Sequence, residues 1–86
     1  MEFPVTEKNR LDTFSKIVNI VSEKLNIDKN LVVGSATLED LGADSLDVIE
    51  IIMKIEETFE IQIDDQDAEQ LRTLDAVVDY VHKLRM

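Results

Sequence analysis

Helical periodicity in three separate segments is the feature that most constrains the fold of this 86-residue chain. In each segment, apolar residues recur every three or four positions, the spacing that places them on one face of an α-helix. The segments predict helices over residues 9–25, from residue 44 to residue 59 or 60, and from residue 74 onward. Their predicted apolar faces consist of Leu11, Phe14, Ile17, Val18, Val21 and Leu25, then Val48, Ile49, Ile52, Ile55 and Phe59, and finally Leu74, Val77, Val78, Val81 and Leu84.

Capping residues mark the ends of these helices. Asp44 and Thr73 are the expected N-caps of the second and third helices, because their side chains can accept backbone N–H groups of the first turn. Asn26 is the expected end of the first helix. The connection over residues 26–44 contains both glycines of the chain and a single turn capped within residues 37–40, and a connection this long normally has a functional reason. Its expected apolar anchors are Ile27, Leu31, Val33, Leu38 and Leu41.

The segment after the second helix predicts a connector and one more helix. Residues 60–63 alternate like a strand, but no second strand is evident, so we expect an extended connector with Ile61 or Ile63 buried. A short helix is expected around residues 65–71. The predicted fold class is therefore all-α, a small four-helix bundle with three principal helices, one short helix and a long loop between helices one and two. Residues 1–10 are interpreted as a frayed lead-in, and residues 11–86 as a single helical domain.

Composition excludes several classes of function. The chain has no cysteine, which excludes disulfides, thiolate metal sites and cysteine nucleophiles. Its apolar runs are too short for a membrane span or a signal-peptide core. Residues 39–69 hold twelve acids against Lys54 alone, so they carry essentially the whole net charge of -10. That field makes nucleic acid and anionic lipid poor partners and favours basic proteins, although a solvated helix face that only keeps the chain soluble would have the same composition.

The candidate functional site is the segment LGADSLD at residues 41–47. It places Ser45 in the first turn of a helix, directly after a glycine-containing loop. Free amide N–H groups and the positive end of the helix dipole converge there, so a phosphate esterified to Ser45 would meet partial positive charge. The carboxylates of Asp44 and Asp47 oppose this attraction. Spacing alone therefore leaves an ordinary helix-start serine open as an alternative.

The motif and the acidic helix that follows it resemble the acyl carrier proteins of dissociated (type II) fatty-acid synthases. The similarity runs without gaps from about Leu38 to Val81 and is more diffuse over the first helix. It implies that Ser45 carries covalent 4′-phosphopantetheine, transferred from coenzyme A by a phosphopantetheinyl transferase (holo-acyl carrier protein synthase). It also implies a set of partner-binding residues, namely Asp44, Leu46, Asp47, Glu50, Met53, Glu56 and Glu57.

The resemblance further implies what the protein does. It would carry acyl chains as thioesters and deliver them to basic-surfaced enzymes of fatty-acid synthesis and to acyltransferases, as a cytoplasmic monomer that is not itself an enzyme. The acyl chain would slip between helices lined by Ile52, Ile55, Ile63, Ala68 and Val77, although an ordinary core would look the same. Two alternatives remain open: a carrier for polyketide, peptide or D-alanyl transfer, and a non-carrier acidic interaction module for which the serine is dispensable.

Two residues depart from the family pattern. Lys54 interrupts the acidic face where a small residue is usual, and Asp64 stands where proline is frequent. We expect Lys54 either to loosen docking on basic partners or to pair with Glu57 at i,i+3. The single histidine, His82, is expected to be solvated, and Tyr80 to serve packing. With no nucleophile–base pair and no metal-ligand set in the sequence, neither catalytic residues nor a metal site are expected.

Overall fold

The computed structural model describes residues 10–85, which form four α-helices and one short 3-10 helix. The helices are α1 (Arg10–Leu25), α2 (Ser45–Phe59), α3 (Asp65–Ala68) and α4 (Leu74–Arg85), and the 3-10 helix spans Lys29–Leu31. Within residues 10–85 the only β-type pairing is an isolated antiparallel bridge between Thr37 and Thr73. The prediction of an all-α fold with three principal helices, one short helix and a long first connection is confirmed.

The predicted caps and the predicted stop of the principal helices are present. Asn26 ends α1 in the left-handed conformation, with φ 56°, which asparagine tolerates better than most residues. Asp44 and Thr73 accept backbone N–H groups of the first turns of α2 and α4, as predicted. Glu60 ends α2, also in the left-handed region with φ 57°, and its N–H donates to the Glu56 carbonyl. These ends are satisfied locally, so the sequence was sufficient to find them.

The α3 helix is shorter than the predicted span of residues 65–71. Its N-cap is Asp64, whose carboxylate accepts the Gln66 N–H at 3.1 Å. After Ala68 the backbone N–H groups donate to the carbonyl three residues earlier, from Gln70 to Asp67 at 2.9 Å and from Leu71 to Ala68 at 3.1 Å. This is the 3-10 pattern, so the α-helix ends before residue 71. The connector before α3 is extended, with Ile63 buried, as predicted.

The core lies where α1 packs against both α2 and α4. The largest side chains that are fully enclosed there are Ile17, Val21, Ile51, Ile55, Leu74, Val77, Val78 and Val81.

Several predicted core residues are instead exposed. Leu11 in the first turn of α1 and Leu84 in the last turn of α4 both face solvent, although the helical spacing had placed them on apolar faces. In α2, Ile49 is 55% exposed whereas Ile51, absent from the predicted face, is 1% exposed. The helix is therefore rotated toward α1 relative to the predicted wheel, because α1 covers it more completely than the four-residue α3 does.

The long connection between α1 and α2 is held by backbone bonds to the start of α4. The Leu38 N–H donates to the Arg72 carbonyl at 3.1 Å, and the Leu74 N–H donates to the Ala36 carbonyl at 3.0 Å. Val32 is the buried anchor of the first half, and the predicted anchors Leu31 and Val33 on either side of it are exposed. The loop that leads into α2 is consequently a fixed part of the fold.

The capped turn predicted at residues 37–40 is present. The Asp40 N–H donates to the Thr37 hydroxyl oxygen at 2.9 Å, and the Thr37 N–H donates back to the Asp40 carboxylate at 3.4 Å. This reciprocal pair shapes the loop immediately before the candidate site.

The opposite end of α2 is closed by a cluster around Phe59. The Arg85 guanidinium lies 4.9 Å from the Phe59 ring centroid, and the Lys16 ammonium lies 6.0 Å from it. Arg85 also donates to the Thr13 hydroxyl at 2.7 Å and to the Asp12 carboxylate at 3.4 Å. These contacts join the last turns of α2 and α4 to the first turns of α1.

The predicted lead-in, residues 1–10, lies outside the described residues except for Arg10, the first residue of α1. The Arg10 guanidinium pairs with Asp79 at 2.7 Å and with Asp75 at 3.3 Å, which joins α1 to α4. In the part of the chain that the structure describes, every helix is too short or too polar to cross a bilayer.

Candidate functional site

Ser45 is the first residue of α2, and it is exposed. Its position is set by the preceding loop, in which the Gly42 N–H donates to the Glu39 carbonyl at 2.9 Å and the Ala43 N–H donates to the Leu38 carbonyl at 3.0 Å. Gly42 has φ 97°, a conformation that favours glycine, whereas Ala43 is buried. The loop therefore turns sharply, anchors one residue in the core and presents the serine at the surface.

The start of α2 is closed by a reciprocal capping box. The Asp44 carboxylate accepts the Asp47 N–H at 2.8 Å, and the Asp47 carboxylate accepts the Asp44 N–H at 3.2 Å. One amide of the helix start is thus already bonded to a carboxylate. This reduces the attraction that the helix end alone would exert on a phosphate at Ser45, and two fixed negative charges remain beside the serine.

An open groove of about 1080 Å³ begins beside Ser45 and runs between α2 and the α3 region. Half of its 18 lining residues are apolar, namely Leu38, Ala43, Val48, Ile49, Ile52, Met53, Ile63, Ala68 and Leu71, and the others are polar or charged, with five acids among them. Of the residues predicted to line an acyl pocket, Ile52, Ile63 and Ala68 are in this groove. Ile55 and Val77 are instead enclosed in the core, with 0% and 1% of their surface exposed.

The predicted partner-binding residues occupy different environments on α2. Leu46 and Met53 are exposed apolar side chains of α2. Ile49 lies between them along the helix and is exposed as well, although the sequence placed it in the core. Ile49 is four residues from both Ser45 and Met53, and this spacing could have indicated that it shares their exposed face. Together these three form the apolar part of the surface beside the serine.

Two of the predicted acidic residues already have lysine partners. Lys24, in the last turn of α1, pairs with Glu50 across the helix interface, and this bond is the main reason that the pKa of Lys24 is raised. Lys54 pairs with Glu57 at 3.5 Å, which confirms the predicted i,i+3 pair. The acidic surface of α2 is therefore less uniformly negative than its composition indicates.

Glu56 serves the fold as well as the surface. Its carboxylate accepts the backbone N–H of Ile63 at 2.8 Å, and that bond is partly buried. Helical spacing places Glu56 on the apolar side of α2, and this bond explains how a carboxylate is accommodated there. The bond fixes the connector between α2 and α3 along the floor of the groove.

Tyr80 and His82, to which the sequence assigned no chemical role, both lie in partly buried surroundings. The Tyr80 hydroxyl donates to the Asp67 carboxylate at 2.8 Å, joining α4 to α3, and this bond raises the pKa of Tyr80. His82 is only partly solvated, because its Nδ1 atom is buried without a hydrogen-bond partner among the described residues. Across residues 10–85 no group of three His, Asp or Glu side chains has a metal-binding arrangement.

Comparison with known proteins identifies the family. Residues 15–81 match the family model described as "Phosphopantetheine attachment site". An acyl carrier protein of Campylobacter jejuni subsp. doylei is 49% identical over 74 residues, which are 85% of this chain and 96% of the relative. An acyl carrier protein of Thermotoga maritima is 42% identical over 76 residues, 87% of this chain and 94% of the relative. The match includes most of α1, where the sequence-based resemblance was diffuse.

Solved structures show the same fold. The acyl carrier protein from Enterococcus faecalis superposes with a TM-score of 0.74 at 33% identity, covering 86% of this chain and 95% of that one. The HMG-ACPI domain of the CurA module from Lyngbya majuscula gives a TM-score of 0.83 at 19% identity, over 98% of this chain and 85% of that domain, a likeness of fold alone. The chain belongs to the acyl carrier protein family, whose members are carriers rather than catalysts and bear 4′-phosphopantetheine as their prosthetic group.

Proposed function

We propose that this protein carries acyl chains as thioesters on 4′-phosphopantetheine attached to Ser45, and that it delivers them to enzymes of fatty-acid biosynthesis. The observation that carries the proposal is an exposed serine at the start of α2 that adjoins a groove lined in part by nine apolar side chains. The chain has no cysteine, so the thiol of a thioester has to be supplied by the prosthetic arm. The residues present therefore fit the group, with a hydroxyl for its attachment and an apolar surface for its cargo.

Attachment requires that a transferase can reach the serine. The Ser45 hydroxyl oxygen forms a bond to the phosphorus of coenzyme A that bears the pantetheine, 3′,5′-ADP leaves, and the hydroxyl proton is lost to the transferase. When bound, the arm supplies the thiol that forms the thioester. The carboxylates of Asp44 and Asp47 are held by the capping box, so their negative charges would lie beside the phosphodiester and repel it.

The groove gives the acyl chain a place beside the attachment point. Each methylene that moves from water into an apolar environment is stabilised by about 0.8 kcal/mol. Ile49 and Met53 lie exposed along the groove, and covering them removes further apolar surface from water. A thioester-linked chain of several carbons would therefore favour the groove over solvent, and it would be withdrawn when an enzyme offers a better site.

The surface of α2 fits brief docking on basic enzymes. The proposed partners are a phosphopantetheinyl transferase, fatty-acid synthesis enzymes and acyltransferases, all meeting a monomeric carrier in the cytoplasm. Exposed charge accelerates encounter, whereas salt-screened contacts stay weak enough for release. The proposed contacts are Asp44, Leu46, Asp47, Glu50, Met53, Glu56 and Glu57, of which Leu46 and Met53 supply exposed apolar area.

The decisive test is mass spectrometry after incubation with coenzyme A and a phosphopantetheinyl transferase. The wild-type protein should gain one phosphopantetheinyl group, and Ser45→Ala should gain none. Ser35→Ala is the matched control, since Ser35 is an exposed serine in the connection before α2 and its variant should be modified like the wild type. Modification of Ser45→Ala, or an unmodified wild type, contradicts the proposed attachment.

The pathway is tested by the cargo found on protein purified from its native source. Saturated, 3-oxo, 3-hydroxy or 2-enoyl fatty chains on the arm support fatty-acid synthesis. An aminoacyl or methyl-branched polyketide cargo would assign the carrier to another pathway. Full activity of Ser45→Ala in cells would favour the non-carrier interaction module.

A further inference from the structure

Lysines of the same chain partly neutralise the acidic surface of α2. Four acids lie within α2, at Asp47, Glu50, Glu56 and Glu57, and two of them are held by lysines of the same chain. Lys24 reaches Glu50 from α1, whereas Lys54 reaches Glu57 from one turn earlier on α2 itself. Both pairs lie at the surface, with side-chain exposures of 38% and 40% for the first and 60% and 76% for the second. A partner can therefore reach both carboxylates.

The two lysines lie away from the groove. The residues of α2 that line the groove include Ser45, Ile49, Met53 and Glu56. Neither Lys54 nor Lys24 lines the groove. Lys54 follows Asp47 by two helical turns, and the charge of Asp47 also acts on Lys24. Lys54 therefore lies on the same face of α2 as Asp47 and Glu50, and Lys24 contacts Glu50 from α1.

We propose that Lys24 and Lys54 are internal competitors for the cationic groups of partner enzymes, each holding one carboxylate of α2 until a partner's arginine or lysine replaces it. The inference rests on the proposed function, because it concerns the surface that docks partners. A partner cation at Glu57 has to displace an ammonium already 3.5 Å away, so its net gain is smaller than at a carboxylate without an internal partner. The Lys54 ammonium can return to Glu57 as soon as the partner's cation moves away, and this return shortens the lifetime of the complex.

This arrangement also sets the kind of partner that the surface selects. A lysine of a partner that replaces Lys54 at Glu57 gains little binding free energy, since one ammonium only replaces another. An arginine that binds a carboxylate through two parallel N–H groups gains more, because its planar fork fits both oxygens. The best-fitting partners therefore present arginine to Glu50 and Glu57.

The test compares lysine variants that change the net charge equally. The probe is a phosphopantetheinyl transferase, with kcat/KM measured for transfer from coenzyme A to the apo protein at low and high salt. Lys54→Ala should raise kcat/KM about two- to five-fold at low salt, the range expected from an exposed ion pair, and the gain should vanish at high salt. Lys83→Ala, in the last turn of α4, removes one positive charge at another exposed place and should stay close to wild type.

A second variant tests the contact between α1 and α2. Lys24→Met keeps most of the side-chain stem while removing the charge at Glu50, and it should give a gain of the same sign. If Lys54→Ala and Lys24→Met match Lys83→Ala, or lower kcat/KM, the competition is refuted even though the wild type is modified. If the wild type itself accepts no arm, the proposed function fails instead, so the two failures are distinguishable.

Discussion

Replacing Glu56 by alanine should destabilise the fold by about 2 kcal/mol. The Glu56 carboxylate accepts the Ile63 N–H at 2.8 Å in a partly buried bond, and Ile63 is only 6% exposed, so water would replace the lost acceptor only in part. Leaving such a donor unsatisfied costs about 1–3 kcal/mol. In a domain of this size each kcal/mol lowers the melting temperature by roughly 4–8 °C. The expected decrease is therefore roughly 8–16 °C.

Glu57, the neighbour of Glu56 on α2, supplies the matched control. Glu57→Ala removes the same charge from the same acidic surface, but the Glu57 carboxylate only meets Lys54 at 3.5 Å in solvent. That variant should change the stability by at most about 0.5–1 kcal/mol. Glu56→Gln keeps an oxygen acceptor and should retain more stability than Glu56→Ala. Thermal unfolding followed by circular dichroism at 222 nm measures all three, and equal melting temperatures for Glu56→Ala and Glu57→Ala would refute the assigned role of Glu56.

Two further predictions concern pH and salt. The bond to Asp67 raises the pKa of Tyr80 above its ordinary value of 10.0, so the unfolded chain loses that proton first; the stabilisation is complete below pH 10 and is lost as the pH rises through the folded-state pKa. Tyr80→Phe should show a smaller alkaline loss of melting temperature than the wild type, and parallel curves would contradict the assignment. The twelve acids of residues 39–69 repel one another at neutral pH, so added sodium chloride or a divalent cation should raise the melting temperature. An unchanged melting temperature across a salt titration would mean that these acids lie too far apart to interact.

The acidic surface shows how a sequence-based assignment changes when contacts are known. The resemblance placed Glu50, Glu56 and Glu57 together as partner-binding residues, and helical spacing separates only Glu56 from the others by placing it on the apolar side of the helix. In the structure, Glu50 is tied to α1, Glu56 holds the connector to α3, and only Glu57 has its partner on α2 itself. Mutation of any of the three should therefore be accompanied by a stability measurement before a docking role is inferred.

The sequence by itself determined the helices and most of their ends. The Asp44 box, the Thr73 cap, the turn over residues 37–40 and the stop at Asn26 are bonds or backbone conformations that involve residues at most a few positions apart, so local spacing is sufficient to find them. The glycine-containing loop before Ser45 was evident for the same reason. Periodicity also identified which side of each helix is apolar.

Only the tertiary structure decided how much of each apolar side is covered. Helical spacing cannot reveal that Ile51 is enclosed while Ile49 and Leu11 are exposed, because coverage depends on how far the neighbouring helices extend. Nor can it reveal the bond from Ile63 to Glu56 or the pairing of Lys24 with Glu50, which require segments brought together by folding. The short α3 leaves one side of α2 open, and that opening is the groove beside Ser45.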